Sequence, residues 1–429
     1  MLRSQALALA IFVFACLSVP AQAAGLAGSW TGVWTKNGDP LPVTVTFRET
    51  EQGLAGSFDS DALQVSGIPF RDVHEAPPKV HFVLAGDATT SVFDGTLKDN
   101  VLAGDFVEGG TKGTFRLERL HGLPSTVQTR DVTFRNGDVT LAGTLLLPAG
   151  TAPHPAILFL QGSGPEGRWA NGYLAERFAK AGFAALIYDK RGVGQSTGDW
   201  HKAGFEELAA DAVQGIRFLQ TQPEVAGKRI GIYGHSQGGT LAPLVARRAG
   251  DLAFVIGAAA GGIDPAEMEE YSVGNSIGLS ALPPREAADA KVFVHAIVDV
   301  GYRGHPRAEL DALSAKFKDR PWFFDPPPPE NFYWSFARGI ASYDPADNWR
   351  QVKAPVLLLF GKADERVPPG RSSRAIIAAL KAGGNEDVTL RMFVKADHTF
   401  TLPSSGHGWP KHVPGYADVM IAWARSRTE

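Results

Sequence analysis

The sequence predicts two domains: an N-terminal all-β domain of the barrel or sandwich type, and a larger α/β domain with a mostly parallel sheet covered by helices on both faces. Three observations lead to this prediction. From Gly25 to about Gly122, apolar and polar side chains alternate as in half-buried strands, without helical periodicity. After Pro124, apolar runs alternate with segments of helical spacing. Residues 263–347 interrupt that alternation with helical segments alone.

The composition is that of a globular protein with little net charge. The 429 residues are 44% hydrophobic and 20% charged, and the formal net charge is -3. Because a protein that binds nucleic acid needs a basic surface, this balance argues against nucleic acid as a partner.

The first 23 residues have the pattern of a secretory signal peptide. Arg3 supplies a positive charge, residues 6–19 are uncharged and largely apolar, and Ala21-Gln22-Ala23 has the small residues that a signal peptidase accepts. We expect cleavage after Ala23, export to a secreted or periplasmic location, and no stable membrane insertion afterwards. The alternative is a retained membrane anchor, for which the apolar run is short.

The single cysteine, Cys16, lies inside this segment. A lipoprotein would be cut just before such a cysteine, but the bulky Phe14 argues against that processing. The cleaved chain would then contain no disulfide, no cysteine nucleophile and no thiolate zinc site. We expect neither a metal nor a cofactor.

Residues 24–122 are predicted to form the β-domain. Residues 43–47 alternate apolar and threonine side chains, as a strand with one buried face requires. A short phrase of Leu-Ala-Gly, a polar residue and an aromatic residue recurs at Leu26, Leu54 and Leu102. Its irregular spacing indicates strands that begin alike and not a solenoid. Trp30 and Trp34 could line a ligand cavity, but we expect them to fill the core.

Residues 123–429 are predicted to form the α/β domain. A hairpin turning at Asn136-Gly137 opens it. Strand-like apolar runs follow at residues 156–160, 184–188, 230–233, 254–260, 356–360 and 388–393. Asp264-Pro265 then begins the first helix of the predicted cap, residues 263–347. Many aromatic residues lie between Trp322 and Phe336, and we expect them to form an apolar pocket for an acyl or alcohol group.

Ser236 has the surroundings of a catalytic nucleophile. It lies in Gly234-His235-Ser236-Gln237-Gly238, directly between a predicted strand and a predicted helix. In this context the G-x-S-x-G pattern is typical of a strained turn that exposes the serine oxygen. The helix behind it places a free N–H and a positive dipole end near developing negative charge. The alternative is a glycine-rich turn without chemistry.

A serine hydroxyl needs a base and an orienting acid. His398 follows the last predicted strand, where a loop can reach over Ser236, and we predict it as the base, with His407 in reserve. Asp364 follows the preceding strand, and we predict it as the acid that holds the imidazole.

Two backbone N–H groups are needed to bind an oxyanion. We predict those of Gln237, which starts the helix, and of Ser163, in the loop at residues 161–165; Gly164 is the alternative to Ser163. In the neighbouring loop we expect a charge pair between Asp189 and Arg191.

Together these segments resemble the serine hydrolases of the α/β-hydrolase superfamily, and the resemblance covers about residues 132–425. It rests on residues 161–165, 188–196, 234–239, 361–368 and 397–398. The chain is similar to bacterial exported esterases with an extra N-terminal domain, and also to serine aminopeptidases and prolyl-oligopeptidase-like peptidases. The resemblance implies an α/β-hydrolase fold with Ser236 as nucleophile, Asp364 as acid and His398 as base. Gln161 departs from the histidine that many relatives carry, and the β-domain is too short for an oligopeptidase propeller.

The sequence therefore predicts an enzyme, a carboxylic ester hydrolase that acts on a small-molecule ester through an acyl-enzyme intermediate. One alternative is a serine peptidase acting on short peptides. In that case a carboxylate of the cap would hold the peptide N-terminus, and the candidates are Glu267, Glu269 and Glu270. Another alternative is an exported ligand-binding protein with a vestigial triad.

Overall fold

A computed structural model describes residues 25–85, 90–120, 127–403 and 409–429. The predicted signal peptide, the predicted domain boundary at residues 122–123, and His407 lie outside these residues. Within the described ranges, no helix has both the length and the apolar character needed to cross a membrane.

The described part of the β-domain consists of nine antiparallel strands. They are β1 (Gly28–Lys36), β2 (Asp39–Thr50), β3 (Gly53–Ser60), β4 (Val65–Pro69), β5 (Arg71–Ala76), β6 (Lys79–Ala85), β7 (Thr90–Lys98), β8 (Val101–Glu108) and β9 (Thr111–Arg119). Their order is β4-β3-β2-β1-β9-β8-β7-β6-β5, so the first and last strands pair in the middle. The Phe70 N–H, between the two edge strands, donates to the Gly56 carbonyl of β3 at 2.7 Å. The sheet therefore curls into a nearly closed barrel.

Aromatic side chains fill the interior of this barrel. Trp30 and Trp34 are both buried, and the Trp34 ring lies 4.9 Å from the ring of Phe58 and 4.7 Å from that of Phe93. The two tryptophans thus serve the core, as predicted. Such close aromatic packing holds the strands together without a disulfide.

The sheet of the second domain has eight strands in the described chain. They are β10 (Gln128–Asn136), β11 (Val139–Leu147), β12 (His154–Leu160), β13 (Ala184–Tyr188), β14 (Val225–His235), β15 (Phe254–Ala258), β16 (Val356–Gly361) and β17 (Val388–Phe393). The order is β10-β11-β13-β12-β14-β15-β16-β17, and all pairs from β13 to β17 are parallel. The short strands β18 (Thr401–Leu402) and β19 (Lys411–His412) pair beside it. The predicted mostly parallel sheet is confirmed.

Ten α-helices belong to this domain in the residues that the structure describes. They are α1 (Gly172–Lys180), α2 (Phe205–Thr221), α3 (Gln237–Ala249), α4 (Pro265–Ser276), α5 (Pro284–Tyr302), α6 (Ala308–Phe317), α7 (Phe332–Ile340), α8 (Pro345–Arg350), α9 (Pro369–Ala382) and α10 (Tyr416–Arg425). Helices α1 and α10 cover one face of the sheet, and α2, α3 and α9 cover the other. Along β12, Ile157 and Phe159 pack toward the first face while Leu158 packs toward the second. This alternation follows from the two-residue period of a strand.

Helices α4 to α8 lie between β15 and β16 and include the predicted cap. Helix α4 begins as predicted, because the Asp264 carboxylate accepts the N–H groups of Ala266 and Glu267 with Pro265 in the first turn. Most of the cap aromatics pack on one another and on α5 as a separate core, which includes Phe293, Phe317, Trp322 and Trp334. This core stabilises the cap, because an insertion of this size needs its own apolar interior. An apolar pocket formed by these aromatics stays a prediction.

Trp409, in the segment that follows β18, makes one of the contacts between the two domains, alongside those of Gln64 with Val413 and Ser66 with Glu176. Its backbone N–H and its indole N–H both donate to Asp39 of the barrel, at 3.1 Å and 2.9 Å. The ring packs against Phe106 and lies 4.0 Å from the Lys36 ammonium. The segment downstream of His398 is therefore attached to the β-domain.

Candidate active site

The turn from β14 into α3 holds Ser236 in a strained conformation. Its φ and ψ are 55° and -116°, a region that non-glycine residues rarely adopt. A Cβ atom on Gly234 would lie 2.2 Å from the Gly238 carbonyl oxygen, and one on Gly238 would lie 2.8 Å from that of Gln161. Both glycines are therefore required by the close approach of backbone to backbone.

The structure brings together the three residues predicted for the triad. The Ser236 Oγ lies 2.9 Å from His398 Nε2, and His398 Nδ1 lies 2.9 Å and 3.0 Å from the two carboxylate oxygens of Asp364. His398 is 5% exposed and Asp364 is 2% exposed. Such a chain of hydrogen bonds can move the serine proton to the imidazole while the carboxylate holds the opposite ring nitrogen.

The acid is held by its own loop and by the cap. One Asp364 oxygen also accepts the N–H groups of Arg366 and Val367, each at 2.8 Å. From α4, the Tyr271 hydroxyl donates to the Asp364 carbonyl at 2.7 Å. The cap is thus attached directly to the loop that carries the acid, a contact that the sequence analysis missed.

A second histidine, His235, is partly buried and contacts the backbone of His398. His235 Nε2 donates to the backbone carbonyl of His398 at 2.9 Å. Burial lowers the pKa of His235 to about 4, and the neighbouring His398 acts in the same direction. His235 is therefore neutral at physiological pH and acts as a fixed hydrogen-bond donor. In the sequence, this role of His235 could be suspected only from its position directly before Ser236 in the G-x-S-x-G motif.

The predicted oxyanion donors lie on two elements that touch. Gln237 is the first residue of α3, and Ser163 lies exposed in the loop after β12, next to Gly164. The N–H of Gly162 is already bonded to the Glu166 carboxylate at 2.6 Å, so Ser163 and Gly164 are the next donors along the loop.

A buried lysine, which the sequence analysis did not single out, joins these two elements. The Lys190 ammonium donates to the carbonyls of Gly162 and Gly164 at 2.5 Å and 2.7 Å, and to the side-chain oxygen of Gln237 at 3.3 Å. Lys190 is 3% exposed. Burial lowers its pKa to about 8, although the charge of Glu166 opposes this shift.

The expected pair between Asp189 and Arg191 is wrong. Asp189 pairs with Arg168 at 2.7 Å, and Arg191 pairs with Asp211 of α2 at 2.7 Å. The two side chains diverge because Asp189 turns toward the helical turn that precedes α1, whereas Arg191 reaches across to α2.

The three cap glutamates lie in different surroundings. Glu267 pairs with Arg371, and Glu270 pairs with His295 at 2.9 Å and with Arg303 at 3.1 Å. Glu269 accepts a hydrogen bond from the Tyr333 hydroxyl at 2.9 Å, and burial raises its pKa above the ordinary value. Within the described residues, Glu269 alone among the three has no basic partner at ion-pair distance, although the nearby charge of Arg366 opposes the rise of its pKa.

For metal ions, the described ranges contain no cluster of three or more His, Cys, Asp or Glu side chains arranged to bind one.

Comparisons with known proteins concern mainly the second domain. A family model described as serine aminopeptidase, S33, matches residues 151–402, which is more than half of the chain and includes Ser236, Asp364 and His398. Esterase EstD of Thermotoga maritima is 24% identical over 319 residues, covering 72% of this chain and 68% of EstD. An uncharacterized 31.7 kDa protein of Escherichia coli is 25% identical over 255 residues, covering 57% of this chain and 85% of its own.

Solved structures of similar shape include two named esterases. An esterase of Pyrococcus furiosus has a TM-score of 0.47 and 16% identity, and the match covers 72% of this chain and 97% of that chain. Acetyl xylan esterase 1 of a Thermoanaerobacterium species has a TM-score of 0.43 and 17% identity, with coverage of 78% and 89%.

Proposed function

Because the chain belongs to the serine aminopeptidase family, S33, and has the α/β-hydrolase fold that its sequence predicts, we propose that it hydrolyses carboxylic esters of small molecules with Ser236 as the nucleophile. One observation carries the proposal: Ser236 Oγ lies 2.9 Å from an imidazole whose other nitrogen lies 2.9 Å from the Asp364 carboxylate. The name of one relative, esterase EstD, supports an ester as the substrate.

The reaction proceeds in two halves. Ser236 Oγ attacks the ester carbonyl while His398 Nε2 takes its proton, and Asp364 stabilises the resulting imidazolium. The N–H groups of Gln237 and Ser163 donate to the oxyanion. When the tetrahedral intermediate collapses, the proton passes from His398 to the departing alcohol and leaves an acyl-enzyme. Water, deprotonated by His398, then attacks the acyl carbon; the acid leaves and the serine regains its proton.

The experiment compares wild type with Ser236→Ala on short-chain p-nitrophenyl esters. We expect Ser236→Ala to lower kcat by at least about 10⁴-fold, as loss of a triad nucleophile does elsewhere. The matched control is Ser335→Ala, since Ser335 lies in α7 and its hydroxyl bonds only locally, to the Phe332 carbonyl at 2.8 Å. A fluorophosphonate probe should add its mass to wild type and not to Ser236→Ala. Wild type that neither turns over esters nor takes up the probe would refute the proposal and favour a ligand-binding protein.

Peptide hydrolysis is the second candidate, favoured by Glu269. A half-buried carboxylate without a basic partner at ion-pair distance suits a peptide N-terminus. Aminoacyl-aminocoumarin substrates separate the two activities: an esterase should leave them intact and cleave the p-nitrophenyl esters. Turnover of the aminoacyl substrates that falls in Glu269→Gln, with ester turnover unchanged, would assign the peptidase activity.

We also propose that the protein is exported, either secreted or periplasmic, after cleavage at Ala23. Expression of the full chain in a bacterium with a periplasm should yield a protein whose intact mass starts at Ala24. A mass that includes Met1 would contradict cleavage, and a lipid-modified chain starting at Cys16 would indicate a lipoprotein.

A further inference from the structure

We propose that Lys190 is a positioning residue for the oxyanion loop, residues 161–167, and that it aims the Ser163 N–H at the reacting carbonyl oxygen. This inference rests on the proposed ester hydrolysis. It concerns a residue outside the triad, on the loop that follows β13, and gives it a task in the same reaction.

The contacts of Lys190 are concentrated on this loop. Its ammonium donates to two carbonyls that lie two residues apart, Gly162 at 2.5 Å and Gly164 at 2.7 Å. These glycines make the loop flexible, and Gly164 has a φ of 80°. The Lys190 ammonium therefore closes this loop together with Glu166, whose N–H donates to the Gly164 carbonyl at 3.0 Å.

The hydrogen bond from Lys190 to the Gly162 carbonyl also determines the direction of the Ser163 N–H. In a planar trans peptide, the C=O of one residue and the N–H of the next point in opposite directions. Because the Gly162 carbonyl points at Lys190, the Ser163 N–H points away from it. The peptide before Gly162 is held as well, since the Gly162 N–H donates to Glu166 at 2.6 Å. Both peptide planes that flank Gly162 are thus fixed.

The same ammonium reaches the second predicted donor. Lys190 Nζ lies 3.3 Å from the side-chain oxygen of Gln237, whose backbone N–H begins α3. The loop and the helix start are consequently tied to one atom. This link sets the spacing between the two N–H groups that an oxyanion needs.

A purely structural role would not call for a cation here. Burying an ammonium among neutral oxygen atoms costs free energy, and burial lowers the pKa of Lys190 to about 8. Glu166 is the charged group that acts on it from the loop, while the adjacent Asp189 and Arg191 are paired with Arg168 and Asp211. Hydrogen bonds from a charged donor are about twice as strong as neutral ones, which suits a donor that must fix two carbonyls.

The test compares Lys190→Met and Lys190→Gln with wild type on p-nitrophenyl esters. Lys190→Met keeps the length of the stem but donates no hydrogen bond, and we expect kcat to fall by about 10²-fold, the effect of losing one oxyanion donor. KM should change by less than about threefold, because the loop acts in the transition state. The rate of fluorophosphonate labelling should fall with kcat. Lys190→Gln, which keeps a neutral donor, should regain about tenfold of the loss.

Lys353→Met is the matched control. The Lys353 ammonium also donates to a backbone carbonyl, that of Gly383 at 2.7 Å, but it lies in the exposed segment before β16. Its kinetic constants should equal those of wild type.

Three results would overturn the inference: a folded Lys190→Met with wild-type kcat, a change confined to KM, or no gain in Lys190→Gln. If Lys190→Met does not fold, Lys190→Gln decides: we expect its kcat to lie about tenfold below wild type, and a folded Lys190→Gln with wild-type kcat would overturn the inference. A wild type without ester turnover or labelling would instead refute the proposed function itself.

Discussion

The buried ion pair between Arg168 and Asp189 predicts a large loss of stability when only one partner is removed. Arg168 and Asp189 are each 5% exposed. The guanidinium donates to the two carboxylate oxygens at 3.1 Å and 2.7 Å, and the Arg168 and Gln195 N–H groups donate to the same carboxylate. Arg168→Met would leave Asp189 buried with its backbone donors alone.

The expected size follows from the bonds that are lost. Two charge-assisted hydrogen bonds of about 1.5–3 kcal/mol each give about 3–6 kcal/mol. Breaking a buried pair by removing one partner typically costs about 3–5 kcal/mol, which agrees. Removing both charges, in Arg168→Met with Asp189→Asn, should be less destabilising than Arg168→Met alone, because no unpaired charge remains.

The assay is a double-mutant cycle from urea unfolding. Tryptophan fluorescence and remaining ester hydrolysis are followed together, so that unfolding of the catalytic domain is separated from that of the β-domain. We expect a coupling of at least about 2 kcal/mol between Arg168 and Asp189. The comparison cycle uses Arg191→Met with Asp189→Asn, whose coupling should stay below about 1 kcal/mol.

The opposite pattern would refute this reasoning. If Asp189 coupled with Arg191 and not with Arg168, the pair expected from sequence would be the real one. Arg168→Met with a free energy of unfolding within about 1 kcal/mol of wild type would show that the carboxylate is not held as described.

Three other predictions concern the turn, the pH and the cap. Gly234→Ala should lower kcat by more than about 10²-fold, because its Cβ would lie 2.2 Å from the Gly238 carbonyl oxygen. The control is Gly339→Ala, in open space inside α7, which should raise the free energy of unfolding in urea by about 0.5–1 kcal/mol. Burial alone would raise the pKa of Asp189, but its bonds to Arg168 bring it below the ordinary 3.8, so the stabilisation is present above about pH 4 and is lost as the pH falls further. The difference in urea midpoint between wild type and Asp189→Asn should therefore shrink from pH 6 to pH 3, and a constant difference would contradict it. Tyr271→Phe removes the hydrogen bond to the Asp364 carbonyl and should lower the free energy of unfolding by about 1 kcal/mol, with a less than tenfold fall in kcat. An unchanged urea midpoint would count against this contact.

Local patterns carried much of the fold prediction. The barrel strands alternate apolar and polar residues, and the parallel strands are continuous apolar runs. Both patterns involve residues that are close in sequence, so hydrophobic periodicity could identify the strands. The three predicted triad residues meet because Ser236, Asp364 and His398 each follow a strand of one parallel sheet, and the carboxyl ends of such strands share an edge.

Pairings between distant polar residues could not be predicted in the same way. Arg168 contacts Asp189, and Lys190 contacts Gly162, because the loops that carry them meet in the folded protein. No sequence pattern predicts these two contacts. The cap aromatics show a related limit of sequence patterns: composition identifies an apolar cluster, but whether each ring faces a ligand or the cap's own helices depends on packing.

The attachment of Trp409 to the first hairpin of the barrel has a consequence for how this protein can be taken apart. A module that carries the hydrolytic machinery cannot be excised at residue 122 without stripping an indole of its apolar cover and of both acceptors on Asp39. A different domain fused in place of the β-domain would have to provide an equivalent apolar site and hydrogen-bond acceptors for Trp409. Substitutions near Asp39 in the first hairpin and substitutions near Trp409 should therefore affect one another.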